Sequence, residues 1–183
     1  VLAFMEKDHN TAQAYEAVER LQAAGMVFDA HIMTGVAGKG RGSENAKALA
    51  EFLNRTGPAQ VVNSSMFLHR EVPLYRHIAD GSFTPADELE NLEEERHLLE
   101  RLDVPVLYDG FHDYIEMRFR GKLPGDREKV LARLDAAIES CKDEPPCYSY
   151  VQGECPNLTR CGGGIDGNYT SEKIWDMDRK GDR

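Results

Sequence analysis

Apolar positions recur along this chain with two different periods, and the period decides which element each stretch predicts. Between residues 11 and 24, Tyr15, Val18 and Leu21 join a set of alanines at helical spacing. Asn10 stands where a cap belongs, and Gly25 supplies the stop. Residues 27–34 carry Val27, Phe28, Ile32 and Met33 and predict a strand. A glycine-rich turn over 35–42 follows. Ser43 then stands as an N-cap before Ala46, Leu49, Ala50 and Leu53, which fall at i, i+3, i+4 and i+7 of a second helix. Gly57-Pro58 ends that helix, and residues 60–68 predict a second strand without the alternation of a half-exposed sheet. Strand, helix, strand at this spacing is a βαβ unit, which requires parallel pairing and a right-handed crossover. With a helix before it, the pattern predicts an α/β layered or barrel architecture.

The second half reads differently. Thr84-Pro85-Ala86-Asp87 predicts a helix start, with Thr as cap and Pro at the first helical position. The helix extends to about Leu102, with Leu89, Leu92, Leu99 and Leu102 inward. Its acidic run, Glu88 to Glu100, predicts a water-facing surface. Residues 104–109 predict a short strand that Pro105 confines to an edge position or a strand start. Residues 111–120 settle no period. Asp126 caps a further helix whose one side carries Val130, Leu134, Ala137, Ile138 and Cys141. Beyond it the chain is rich in Pro, Gly and Cys, so the organisation predicted is a domain over 1–141 and an irregular tail over 142–183.

Composition narrows the function classes. The 183 residues are 41% hydrophobic, which suits one packed domain or a piece of a larger one. A formal net charge of −10 argues against an electrostatic grip on nucleic acid by this chain. No apolar run approaches the roughly 20 residues of a membrane helix. The start at Val1 shows no basic segment or cleavage pattern, so a cytoplasmic protein, trimmed or continued upstream, is expected.

All four cysteines fall between 141 and 161, at Cys141, Cys147, Cys155 and Cys161, spaced C-x5-C-x7-C-x5-C. Four thiolates in one short segment suit zinc or an auxiliary iron–sulfur cluster, although the intervals exceed those of structural zinc pairs. Free or paired thiols are the alternative, and Cys141 also completes an apolar stripe. The glycine turn, with Lys39 and Arg41, sits where a phosphate would bind. It matches neither the Walker pattern nor the dinucleotide fingerprint, so a tight turn is the better reading. Of the histidines, His31 and His112 are placed to face a cleft, but none shows ligand spacing, and lone histidines are more often structural.

Read as a string, Val1-Leu2-Ala3-Phe4-Met5-Glu6-Lys7, Leu21-Gln22-Ala23-Ala24-Gly25-Met26 and His31-Ile32-Met33-Thr34-Gly35-Val36-Ala37-Gly38 resemble the second half of a radical S-adenosylmethionine (radical SAM) domain. The branch is the one that includes coproporphyrinogen-dehydrogenase-like and tRNA-modifying members. Val72-Pro73-Leu74-Tyr75, Ala79-Asp80-Gly81-Ser82-Phe83 and Leu123-Pro124-Gly125-Asp126 continue the pattern in order, so it covers about residues 1–140. The resemblance implies a partial (β/α) barrel, half of a radical SAM barrel, with a C-terminal helical extension and the Cys-rich tail. It implies S-adenosylmethionine bound at the strand ends, with Ile32 and Gly35 beside the adenine and Ser64 to Met66 next to them. It further implies a 4Fe-4S cluster, whose three closely spaced cysteines are missing from residues 1–140 and are expected upstream. The chain alone is therefore expected to be inactive and to need the N-terminal half of the barrel, or a dimer partner, and no membrane. The alternative is a non-catalytic α/β module that associates with a partner through an apolar strand edge and the metal-binding tail.

Overall fold

The computed structural model describes residues 1–68, 72–112 and 117–144, together with Pro146 and Tyr148. Its elements are α1 (Thr11–Ala23), β1 (Asp29–Thr34), α2 (Gly42–Thr56), β2 (Gln60–Ser65), α3 (Pro73–Ala79), α4 (Glu88–Arg101), β3 (Val106–His112), β4 (Met117–Leu123) and α5 (Arg127–Cys141). The four strands form one open sheet in chain order. β1, β2 and β3 are parallel, and β4 returns antiparallel to β3. The βαβ unit is present as its spacing predicts, with Ile32 opposite Asn63 and Met33 opposite Ser64.

Local chemistry explains the boundaries. Asn10 accepts from the Gln13 amide while the Gln13 side chain returns to the Asn10 amide, so α1 opens on a capping box. α2 ends on Gly57 in the left-handed region, φ 58°. Two helix starts depart from the sequence reading. α2 begins at Gly42 with Arg41 as N-cap, placing Ser43 inside the helix. α4 begins at Glu88, where Asp87 and Glu90 form a second capping box, because the Thr84 carbonyl is already engaged by the Lys39 amide. Pro105 immediately precedes β3, which runs centrally between β2 and β4, so of its two permitted places Pro105 takes the strand start.

Side chains of paired residues share a face, and successive residues alternate. Ala30, Ile32, Val61, Val106, Tyr108, Phe119 and Leu123 all look toward the helices. There they form a single core with Ala46, Ala50 and Leu53 of α2, Leu92, Leu98 and Leu99 of α4, and Val130, Leu134, Ala137 and Ile138 of α5. Each fully buried leucine contributes on the order of 1.5–3 kcal/mol of apolar burial. The opposite face carries His31, Met33, Val62, Ser64, Leu107, Asp109, Phe111, Arg118, Arg120 and Lys122. None of its apolar side chains belongs to a described hydrophobic cluster, and Leu107 remains 43% exposed. A second, smaller cluster of Met66, Leu68 and Phe83 with Met5, Val36, Leu74 and Ile78 packs the segments that follow β1 and β2.

Candidate functional site

The C-terminal ends of the parallel strands gather the polar chemistry of the fold. Gly35 follows β1 and Met66 follows β2, tied by a 3.0 Å bond from the Met66 amide to the Thr34 carbonyl. Gly35 has φ +84°, and a Cβ there would lie 2.6 Å from Asn91 Oδ1 and 3.5 Å from Met66 Cβ. The space this glycine leaves is thus taken up inside the protein by Asn91. Of the four residues implied for the adenine, Gly35 and Met66 adjoin one another. Ile32 and Ser64 point to opposite faces, Ile32 into the core under the helices and Ser64 onto the open face beside Met33. A one-residue phase in a strand exchanges the two faces, and the sequence pattern 29–34 contained nothing to fix that phase.

Beneath these tips lies a polar ridge that the sequence reading placed in water. Glu88, Asn91, Glu94 and Glu95 of α4 are all buried, none more than 2% exposed. His112, the last residue of β3, is fully buried between two carboxylates, with Nδ1 3.0 Å from Glu88 and Nε2 2.8 Å from Glu95. The other oxygen of Glu95 accepts from Tyr108 Oη at 2.7 Å. Burial alone would lower the His112 pKa, but the bonds and charges of Glu88 and Glu95 outweigh it and raise it from 6.5 to about 10. His112 is therefore an imidazolium locked between two anions. Tyr108 is pushed well above its ordinary value, first by burial and then by Glu95. Glu94 receives the Gly35 amide at 3.0 Å and Asn45 Nδ2 at 2.7 Å, and burial raises its pKa against those two bonds. Ser65 Oγ and Asn91 Oδ1 are buried without a hydrogen-bond partner among the described residues.

By itself an acidic run on a helix predicts a solvated face. Charged side chains are rarely fully buried unless paired. Their partners lie far along the chain, His112 being 24 residues from Glu88 and 17 from Glu95. One signal was available in the string: Glu88, Asn91 and Glu95 fall at i, i+3 and i+7, on one helix face beside the leucines.

Those carboxylates also decide the glycine turn. Glu94 accepts from Gly35, Glu90 accepts from the Gly40 amide at 2.8 Å, and Lys39 donates its amide to the Thr84 carbonyl at 2.8 Å. Arg41 is paired with Glu44. Amides that would cradle a phosphate are already spent on the protein's own acceptors, and the tight-turn reading describes what is seen. A half-open cavity of about 320 Å³ lies beside the turn, lined by Phe4, Val36, Gly38, Lys39, Phe83 and Thr84.

On the open face Asp109 accepts two bonds from Arg118 and one from Arg120, at 2.7 to 3.0 Å. Burial would raise its pKa, yet the two guanidiniums hold it below its ordinary value. His31 is exposed on the same face. Cys141 closes α5, half-buried against the core, with a free thiol. Cys147, Cys155 and Cys161 lie outside the described residues. Among the described residues no set of three or more His, Cys, Asp and Glu side chains is arranged to hold a metal ion. No described helix is long and apolar enough to cross a membrane. No family model matches the chain, and no curated protein or solved structure shows significant similarity to it.

Proposed function

We propose that this chain is the C-terminal part of a radical SAM enzyme, and that its sheet supplies part of a (β/α) barrel wall against which S-adenosylmethionine rests. The observation that carries the reading is the winding. Three parallel strands lie side by side in chain order, with α2 and α4 packed into the same core on the same face. A doubly wound sheet reverses its strand order and covers both faces. A barrel winds one way, keeps its helices outside and takes ligands at the C-terminal strand ends.

On this reading the ring-facing residues are Met33 and Ser64, which share the open face, with the Gly35 and Met66 backbone at the rim; Ile32 supports them from the core side. A thioether and a small hydroxyl suit the face and edge of a purine. The described residues do not fit an iron–sulfur cluster. They are therefore assigned cofactor binding and cavity shape, not radical generation.

Calorimetry with S-adenosylhomocysteine tests the reading. Weak binding is expected, lost on Met33→Glu or Ser64→Glu and retained on Ile32→Val. Absence of any binding, or loss on Ile32→Val alone, overturns it. The longer reading frame is expected to carry a cysteine triplet upstream and to give an iron–sulfur absorption band on anaerobic reconstitution.

A second reading, a non-catalytic module that associates with a partner, is favoured by the exposed Met33 on the open β1 edge and by the exposed Leu107 of β3 on the same face of the sheet. It predicts a dimer by light scattering, with no response to S-adenosylhomocysteine.

A further inference from the structure

We infer that Glu94 is a positioning residue that holds the glycine-rich turn, and with it the tip of β1, in the shape a ligand at the strand ends would meet. The ligand half of this inference rests on the strand-end reading above; the clamp itself does not.

The turn over 35–42 is fastened to α4 at both ends and near its middle. At its start the Gly35 amide donates to Glu94 Oε2. At its end Gly42 packs on the same side chain so closely that a Cβ would lie 3.0 Å from Glu94 Cβ and 3.2 Å from Oε2. Between them Gly40 donates to Glu90, four residues before Glu94 on the same helix. The second Glu94 oxygen takes Asn45 Nδ2 and so binds α2 to the same point. One carboxylate thus joins the end of β1, the start of α2 and the middle of α4.

Core packing does not demand this arrangement. A buried ionised group is costly unless well bonded, and an apolar side chain of similar volume is often neutral or stabilising in its place. An apolar replacement would leave the Gly35 amide without an acceptor. The backbone held here forms the rim of the β1 tip and, through Val36, Gly38 and Lys39, one wall of the adjoining cavity.

The test compares Glu94→Met, which fills the volume without accepting, with Glu94→Gln. A glutamine oxygen still accepts from Gly35, and Asn45 can turn its amide to accept from the new NH₂ group. Amide exchange is followed by NMR at Gly35 and, as a core reference, at Val61, alongside S-adenosylhomocysteine titrations. Leaving a buried amide without its acceptor predicts that Glu94→Met speeds Gly35 exchange about tenfold or more over Val61. Binding weakens in parallel, and Glu94→Gln returns both close to wild type. Equal acceleration at Gly35 and Val61, or an unchanged Gly35, overturns the clamp. Should Glu94→Met not fold, Asn45→Ala removes the second tether. Faster exchange at Gly35 alone is then expected, and an unchanged Gly35 rejects the inference. A wild-type chain that binds no S-adenosylhomocysteine defeats the strand-end reading, while the exchange measurements still decide the clamp.

Discussion

Gly110 and Glu95 occupy one space: a Cβ on residue 110 would stand 1.8 Å from Glu95 Oε1, the same oxygen that accepts from Tyr108. The central strand therefore has no side chain at the point where the helix inserts a carboxylate. Gly110→Ala is expected to displace Glu95, strain the His112 pair and cost about 2–3 kcal/mol, the scale of overpacking in a dense core. For a chain of this size, thermal unfolding should show the midpoint fall by roughly 2–4 °C per kcal/mol.

Removing the cation between the two carboxylates should do more harm. His112→Ala leaves Glu88 and Glu95 buried without their shared partner. Breaking such a buried pair from one side costs about 3–5 kcal/mol. Chemical denaturation of the variant should show that loss. Glu88→Gln, which keeps one charge pair and an acceptor, should lose markedly less.

The sign of the pH dependence follows from the same residue. His112 binds its proton more tightly when folded, with a pKa raised from 6.5 to about 10. Its contribution is complete below about pH 6.5 and disappears as the pH rises through 10. Thermal midpoints of the wild type and of His112→Gln, measured from pH 6 to pH 10.5, should therefore converge at the alkaline end. A gap that stays constant across that range would show that His112 is not the titrating group.

A second glycine is coupled to the same helix. Gly35 combines φ +84° with an Asn91 oxygen 2.6 Å from its missing Cβ. Gly35→Ala should cost at least the ~1–2 kcal/mol of a left-handed conformation. Adding Asn91→Ala removes the clash but not the strain. A double-mutant cycle should then give a coupling of about 0.5–3 kcal/mol, as residues in contact do.

Much of the fold was legible in the string. The stripe of Ala46, Leu49, Ala50 and Leu53, the Asn10 cap and the Gly57 stop are signals within one helical turn of where they act, and each element stands close to its expected place. The helix start expected at Thr84 is displaced to Glu88, and the Thr84 carbonyl instead accepts from Lys39, a residue 45 positions earlier in the chain.

The candidate site was less legible, because its parts are brought together by register and by burial of charge. Ile32 and Met33 are both apolar strand residues, and only pairing with Asn63 and Ser64 shows which of them faces the helices. Glu88, Glu94 and Glu95 read as a solvated acidic face until His112, Tyr108, Asn45 and the Gly35 amide arrive as partners. Local pattern and propensity, which act over a few residues, determined α1, α2, the body of α4, α5, the βαβ unit and the chain's α/β class, but not the short α3. Which carboxylates leave water was decided only by tertiary structure, because a buried charge is tolerable only once distant donors close around it.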